Sequence, residues 1–215
     1  MDLAERERRL KELGIEHCEI TDPEFLDKLA ESELDVVLSI VRRSKIISLS
    51  ASDDERDPIT ENLMWSHYAD GLRGFCLVFD CQALQKDIHS FSNRAIRPIR
   101  VSYQDTPNEL DINDFIQSPA MLNVSKLNYV DYVVKTIASK SKSWTYENEF
   151  RIISMSETNL HSYDPSTLNE IIIGDKMPLD QQKLVTDIVK SVNSSIRLKR
   201  AKLKENSYLI EIVDY

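Results

Sequence analysis

The sequence has few glycines and few cysteines for its length, with 4 glycines and 3 cysteines in 215 residues. The glycines form neither a G-x-G-x-x-G pattern nor a P-loop, which argues against either kind of phosphate-cradling loop. The cysteines, Cys18, Cys76 and Cys81, include no C-x-x-C pair and are odd in number, which favours a reducing cytoplasm over a secreted disulfide framework. Because Cys76 lies in an apolar run, we interpret it as a core residue and not as a nucleophile.

Long apolar runs and metal-binding motifs are also absent from the sequence. Nowhere do 18 apolar residues follow one another, and residues 1–14 have no apolar stretch, so we predict neither a membrane span nor a secretion signal. The histidines and cysteines show no H-E-x-x-H, H-x-H or C-x-x-C spacing, and no G-x-S-x-G elbow occurs. We therefore expect a cytoplasmic protein without a dedicated transition-metal site or a serine hydrolase centre.

Positive charge is in deficit, since the formal net charge is -9 and the pI is about 5.0. The negative electrostatic field of such a protein repels phosphate backbones and anionic lipid, so general nucleic-acid binding is disfavoured. A local exception is the run of cations at residues 197–204, which leaves a role in binding nucleic acid or an acidic partner open beside that of a solvated face.

The apolar patterning predicts an α+β protein. Short apolar or β-branched runs indicate strands at residues 45–50, 75–79, 96–103, 149–154 and 170–174, with two more near the C terminus. Helical spacing indicates helices at residues 60–69, at 120–140 and after Pro178. We predict a single mixed or antiparallel sheet with flanking helices, arranged as an N-terminal helical extension (residues 1–44) and one α+β domain (residues 45–215).

Two details of this prediction concern the last third of the chain. On the helix after Pro178, one predicted apolar face consists of Leu184, Val185, Ile188, Val189 and Val192. In the strand that follows, the apolar residues change from even to odd positions, which predicts a β-bulge near Lys199 and Arg200.

The first candidate site lies at residues 65–68, where Trp65, His67 and Tyr68 combine rings with polar groups. Burying polar groups among aromatic rings costs free energy unless they are paired, so a fold that needs only a core would use simpler residues. We expect His67 to be partly buried. It is interpreted either as a structural histidine fixed by a backbone carbonyl or as a residue for substrate binding or proton transfer.

The second candidate site lies at residues 144–151 and contains Tyr146, Glu147, Glu149 and Arg151. Strand alternation predicts that Glu147, Glu149 and Arg151 share one face. Repulsion between the two carboxylates would raise a proton affinity, whereas Arg151 would favour ionisation of Glu149. A surface ladder of opposite charges remains an alternative to a functional site.

The order of these features resembles ADP-ribosyltransferases. Ser48 and Ser50 lie on a predicted strand, a ring-rich helix follows, and Glu-x-Glu opens a later strand. The resemblance implies that the serine strand supports the nicotinamide side of an NAD pocket and that Trp65, Tyr68 and Tyr146 contact the dinucleotide. It further implies that Glu149 binds the ribose and stabilises an oxocarbenium ion, because a carboxylate suits a transition state with positive charge at the sugar carbon.

A second set of motifs resembles an uncharacterised bacterial family, the domain of unknown function numbered twenty-nine seventy-one. The resemblance covers roughly residue 46 to the C terminus, and its motifs lie at residues 64–69, 74–80, 101–103, 144–151 and 170–174. Members of that family usually begin with an aromatic-rich strand and an Asn-Asp-Pro segment, and neither is recognisable before Ile46. If the family is transferase-like, that strand would carry the first nucleotide-binding residue, which implies a shortened, inactive or partner-completed version here.

Two hypotheses follow for function. The first is NAD-dependent ADP-ribosyl transfer or NAD cleavage, with Glu149 as the sugar-cation stabiliser and Glu147 as an orienting or acceptor-side acid. In it, His67, Tyr68, Tyr146 and Arg151 are pocket residues. The second is a non-catalytic module that binds a small-molecule or protein ligand, for example in a bacterial defence or toxin-related assembly.

Overall fold

The computed structural model describes most of the chain from residue 38 onwards. The residues described are 24, 28, 31, 35, 38–91, 96–108, 133–134, 136–154, 160–193 and 195–215. Their strands and α-helices are, in chain order, β1 (Lys45–Ser50), α1 (Asn62–Tyr68), β2 (Phe75–Phe79), α2 (Cys81–Phe91), β3 (Ile96–Arg100), β4 (Ser102–Gln104), β5 (Ser139–Ser141), β6 (Glu149–Ser154), β7 (Leu168–Gly174), α3 (Leu179–Val192), β8 (Arg197–Leu203) and β9 (Ile210–Asp214).

The strands form three sheets, and the α+β class is as predicted. A three-stranded antiparallel sheet has the order β1-β6-β3, a four-stranded mixed sheet has the order β2-β7-β8-β9, and β4 pairs with β5 in parallel. Pro98 lies on β3, an edge strand, where its missing N–H removes no interior ladder bond.

The prediction of a single sheet is wrong. The run at residues 96–103, expected to be one strand, divides at Val101. Its first part pairs with β6, whereas β4 pairs with β5 elsewhere. Alternating apolar residues specify a strand but not its partner, so the sequence pattern cannot reveal this change of sheet.

The four-stranded sheet is covered on both faces. Ile171 and Ile173 of β7 pack in one cluster with Val189 of α3, whereas Ile172 packs in a second cluster with Trp65 of α1. Consecutive apolar residues on β7 follow from this two-sided burial.

The same two-sided burial explains why the bulge predicted at Lys199 and Arg200 is wrong. Strand β8 pairs in continuous register with β7 and with β9. Ile196 and Leu198 pack on the α3 side while Ala201 packs on the opposite side, so the change in apolar positions reflects two cores. The register shift that does occur lies between Val78 and Phe79 on β2.

Helix α3 buries less of its apolar surface than predicted. Val189 is buried and Val185 is partly buried against the sheet. Leu184, Ile188 and Val192 are exposed by 60%, 51% and 61%. Helical spacing predicted the apolar face of α3 but not which of its residues pack on the sheet.

A tight turn joins α1 to β2 and packs against the end of β7. Leu72 has a left-handed backbone (φ 72°) yet is buried in the core. A Cβ added to Gly174 would lie 2.1 Å from the carbonyl oxygen of Leu72, so only glycine fits at position 174. Hydrogen bonds from Gly174 N to Gly74 O (3.0 Å) and from Lys176 N to Leu72 O (3.1 Å) fix the contact.

Two other sequence predictions are tested only in part. Residues 24, 28, 31, 35 and 38–43 of the proposed N-terminal extension are helical, residues 1–23 lie outside the described part, and the division at residues 44 and 45 stays a prediction. In the predicted helix at 120–140, residues 133–134 and 136–137 are helical, but Lys140 lies on β5. Within the described residues, no helix combines the length and apolarity needed to cross a membrane.

Candidate functional site

Two buried glutamates stand at the entry to β6. A 3₁₀ segment, Lys142–Glu147, leads into the strand through Asn148, whose backbone is left-handed (φ 44°, ψ 52°). Asparagine tolerates this conformation better than most residues. Glu147 and Glu149, on either side of it, are 3% and 5% exposed, so the alternative of a surface ladder of charges is wrong.

Asn148 also ties this junction to the loop that follows β1. Its side-chain amide donates to the carbonyl of Ala51 and to Asp53 Oδ2 (2.7 Å), and Ala51 N donates to Asn148 O (3.0 Å). Arg56 reinforces the contact through a hydrogen bond from Nη1 to Thr145 O (2.8 Å). The positions of the two carboxylates therefore depend on a loop about 90 residues earlier in the chain.

Lys140 lies between the carboxylates. Its ammonium donates to Glu147 Oε2 and to Glu149 Oε2, the latter at 3.2 Å. Burial lowers the pKa of Lys140, but the hydrogen bonds from its ammonium to the two glutamates outweigh that effect and raise the pKa above its usual value. Lys140 is therefore a fixed cation and is unsuited to act as a neutral amine nucleophile.

Arg151 holds the other side of Glu149. Its Nε donates to Oε1 at 2.7 Å and its Nη2 donates to Oε2 at 3.2 Å, while Nη1 donates to the carbonyl of Ile137. Ser48, the residue paired with Arg151 on the neighbouring strand β1, also hydrogen-bonds to Glu149. Burial raises the pKa of Glu149, but the bonds from Arg151 and Ser48 outweigh burial and lower the pKa to about 2.

Two tyrosines complete the polar cluster. Tyr68 of α1 donates its hydroxyl hydrogen to Glu147 Oε1 at 2.6 Å, and this bond raises the pKa of Tyr68 to about 12. Tyr103 of β4 accepts a hydrogen bond from Glu149 N at 2.8 Å, and burial raises its pKa above the usual value. Both phenols are therefore neutral at physiological pH and can donate a hydrogen bond.

An aromatic group lies beside this polar cluster. The His67 ring lies 6.2 Å from Tyr146, nearly parallel to it, and 5.8 Å from Trp144. Lys140 Nζ lies 4.8 Å from the centre of the Trp144 ring, within cation–π range. The expectation that His67 is partly buried is wrong, because the residue is exposed.

Trp65 has a different position from its neighbours. It is 3% exposed, packs with Ile172 and Ala201 in the core, and donates its indole N–H to Ile59 O at 2.6 Å. The other predicted aromatic residues lie nearer the carboxylates. The first candidate site, residues 65–68, thus combines a core residue, Trp65, with two residues near the carboxylates, His67 and Tyr68.

A cavity of about 1000 Å³ lies between the three-stranded and four-stranded sheets. Edge strands β1 and β2 contribute to its wall, and Phe75 and Leu77 of β2 leave 46% and 42% of their surface exposed there. The predicted site residues that line it are Ser48, Ser50, Trp65, Tyr68, Glu147, Glu149 and Arg151. His67 and Tyr146 do not line the cavity. They are adjacent to Tyr68 and Glu147, which do line it.

Four residues of the site had no predicted role. Lys140 and Tyr103 meet because β5 and β4 pair in parallel, and this pairing has no signal in either three-residue strand. Arg100 lines the cavity from the end of β3. Asn148 had no predicted role, although an asparagine between a polar segment and a strand is itself a signal for a left-handed turn.

The thiol of Cys76 is poorly suited to act as a nucleophile. Burial raises the pKa of Cys76 to about 11, so its thiol stays protonated at neutral pH, as the sequence interpretation of a core cysteine expects. In the described part of the chain, no group of three or more His, Cys, Asp or Glu side chains is placed to hold a metal ion.

The arrangement is suited to electrostatic chemistry more than to proton transfer. A carboxylate with a pKa of about 2 stays ionised and is a weak base. Its negative charge, fixed before any ligand binds and shielded from water, can stabilise positive charge that develops in the cavity.

The comparisons with known proteins agree with part of the sequence interpretation. A model of the family described as protein of unknown function (DUF2971) matches residues 64–152, from α1 to β6. No curated protein and no solved structure matches the chain. The match is shorter than the resemblance predicted from residue 46 onwards, and it covers less than half of the 215 residues. The matched segment contains both candidate sites, residues 65–68 and 144–151. The segment that carries the carboxylate site is therefore similar to a family of proteins of unknown function.

Proposed function

We propose that the protein binds NAD in the cavity between the two sheets and cleaves the bond between nicotinamide and ribose. The observation that carries the proposal is Glu149, a buried carboxylate held ionised at the cavity wall. Cleavage of this bond makes the ribose carbon positively charged, and a fixed negative charge nearby lowers the energy of that transition state.

The reaction needs no redox partner. The bond between the nicotinamide nitrogen and the ribose carbon breaks, and its electron pair leaves with neutral nicotinamide. The sugar cation then bonds to water or to a nucleophilic acceptor, which releases a proton to solvent. Glu149 remains a carboxylate throughout, which its low pKa permits.

The neighbouring residues have supporting roles in this proposal. Lys140 and Arg151 keep Glu149 ionised and fix its direction. Glu147, bonded to both Lys140 and Tyr68, orients these two groups. We give it that orienting role and not the role of an acid. We assign contacts with the acceptor to the rings of His67 and Tyr146, which stack on each other outside the cavity.

Nicotinamide release from NAD by the purified protein tests the proposal. We expect Glu149→Gln to reduce the rate by about 100-fold or more, the loss typical when a transition-state charge partner is removed. The matched control is Glu170→Gln, because Glu170 is also buried and held by two cations, Arg197 and Lys199, but does not line the cavity.

Thermal unfolding of each variant separates lost chemistry from lost structure. The proposal fails if the wild-type protein releases nicotinamide no faster than buffer. Glu149 loses its assigned role if Glu149→Gln is folded and as active as Glu170→Gln.

A second candidate function is ligand binding without catalysis. The observation that favours it is that Arg151, Lys140 and Ser48 already occupy the oxygens of Glu149, which reduces the negative charge left for a sugar cation. This function predicts saturable NAD binding with no nicotinamide release. Loss of that binding in Leu77→Ala, with an unchanged thermal midpoint, would support it, since Leu77 lines the cavity and is 42% exposed.

A further inference from the structure

The cavity has a net positive charge in an acidic protein. Its charged lining residues are Arg100, Lys140, Arg151, Glu147 and Glu149, which are three cations and two carboxylates. The whole chain has a formal net charge of -9. A cation in excess at a concave site attracts an anionic ligand to that place despite the overall field.

The excess charge belongs to Arg100. Lys140 and Arg151 are both bonded to the carboxylate pair, whereas among the described residues Arg100 forms no ion pair. Its hydrogen bond is from Nη1 to Asn148 Oδ1 at 3.4 Å, a long contact. Arg100 is exposed, and among the described residues its guanidinium donates to neither Glu147 nor Glu149.

An acidic residue, Asp53, interacts with the charge of Arg100. Hydrogen bonds from the backbone N–H groups of Glu55 and Arg56 do most to lower the pKa of Asp53, Asn148 contributes as well, and the positive charge of Arg100 has the smallest effect. The Asp53 carboxylate is therefore satisfied mainly by groups other than Arg100.

We infer that Arg100 binds a phosphate group of the ligand. The inference rests on the proposed function, because it assigns the diphosphate of NAD to the end of β3, one strand away from Glu149. A guanidinium matches a phosphate with two parallel hydrogen bonds, and no other cation of the lining is without a carboxylate partner among the described residues. Arg100 thus selects phosphorylated ligands over the corresponding nucleosides.

Calorimetric titration with ADP-ribose and with adenosine tests this assignment. We expect Arg100→Gln to weaken ADP-ribose binding by about tenfold or more, the size of a lost charge-assisted pair, and to leave any adenosine binding unchanged. The matched control is Arg97→Gln, which removes the same charge from the same strand outside the cavity lining. It should bind ADP-ribose as the wild-type protein does.

The outcomes separate the inference from the proposed function. The inference is overturned if the wild-type protein does not bind ADP-ribose, or if Arg100→Gln and Arg97→Gln bind it equally well. If ADP-ribose binds through Arg100 but NAD is not cleaved, the inference stands and the proposed reaction fails. If NAD is cleaved while Arg100→Gln retains full affinity, the reaction stands and the phosphate assignment fails.

Discussion

The ionised form of Glu149 is stabilised by its ion pairs more than it is destabilised by burial. Its side chain is 4% exposed, so the loss of hydration alone would favour the neutral acid. Arg151 and Ser48 reverse that preference and lower the pKa from 4.5 to about 2. A difference of this size corresponds to a stabilisation of about 3 kcal/mol when the group is ionised.

Stability should therefore depend on pH through Glu149. Because its pKa is lower in the folded state, the stabilisation is complete above a pH of about 5 and is lost as the pH falls towards about 2. Urea unfolding across this range should show a fall of about 3 kcal/mol assignable to this residue. The stability difference between wild type and Glu149→Gln should narrow over the same interval, and a difference that is constant with pH would contradict the assignment.

Lys140 should be coupled energetically to Glu147. Lys140→Met leaves the buried carboxylate of Glu147 without its cation and should cost about 3 kcal/mol, whereas Glu147→Gln leaves Lys140 paired with Glu149 and should cost less. The double variant should cost less than the sum by about 1–3 kcal/mol in urea unfolding. The matched control pair is Lys183 and Asp187, also ion-paired but 76% and 55% exposed, for which a coupling below about 0.5 kcal/mol is expected.

Most of the charged site could be identified from its local sequence, whereas the cations Lys140 and Arg100 could not. Glu147, Glu149 and Arg151 were expected on one face, and all three are in one polar cluster. Lys140 fitted a helical pattern and lies on a strand instead. Its position depends on a parallel pairing between two short strands, and contacts of that kind leave no periodicity to detect.

At the scale of elements, the turn between α1 and β2 fixes how the helix that bears Tyr68 meets the central strand β7. We expect Gly174→Ala to destabilise the protein by about 1–3 kcal/mol, because the added Cβ would lie 2.1 Å from Leu72 O and force the turn away. Thermal or urea unfolding measures the loss.

Gly71→Ala is the control for this change. Gly71 has a positive φ of 60°, but the nearest atom to an added Cβ is Arg73 Nη1 at 3.7 Å. Its cost should be limited to the conformational strain of about 1 kcal/mol. Equal losses for the two variants would show that the close approach at Gly174 does not matter.

Element types could be predicted from sequence better than their packing. The strands at 45–50, 75–79 and 149–154 were predicted with the bounds that they have. The bulge at Lys199, the single sheet and the fully apolar face of α3 were errors of another kind. The bulge was predicted because one buried face was assumed for β8, whereas β7 and β8 bury both faces. The single sheet was predicted because an apolar pattern does not identify a strand's partner, and the apolar stripe of α3 is buried only in part.

At the scale of the whole molecule, three of the five cations at residues 197–204 are paired with carboxylates. Arg197 and Lys199 both pair with Glu170, and Lys202 pairs with Glu211. Together with a net charge of -9, this pairing reduces attraction to phosphate backbones.

We therefore expect no retardation of duplex DNA in a gel shift at a salt concentration of about 50 mM. Glu170→Gln, which removes the acidic partner of two cations, serves as the comparison. Retardation by the wild-type protein that weakens in Arg197→Gln would restore the nucleic-acid interpretation of this strand.

Several hydrogen bonds of the site join residues that are far apart along the chain, although those of Lys140 and Arg151 to the glutamates are local. Tyr68 and Glu147 are 79 residues apart, Arg56 and Thr145 are 89 apart, and Asp53 and Asn148 are 95 apart. Closing loops of this length costs chain entropy before any contact repays it, so such contacts form late in folding. During refolding, the β8–β9 hairpin should thus form before the cavity does. Ligand binding should return more slowly than the circular dichroism signal.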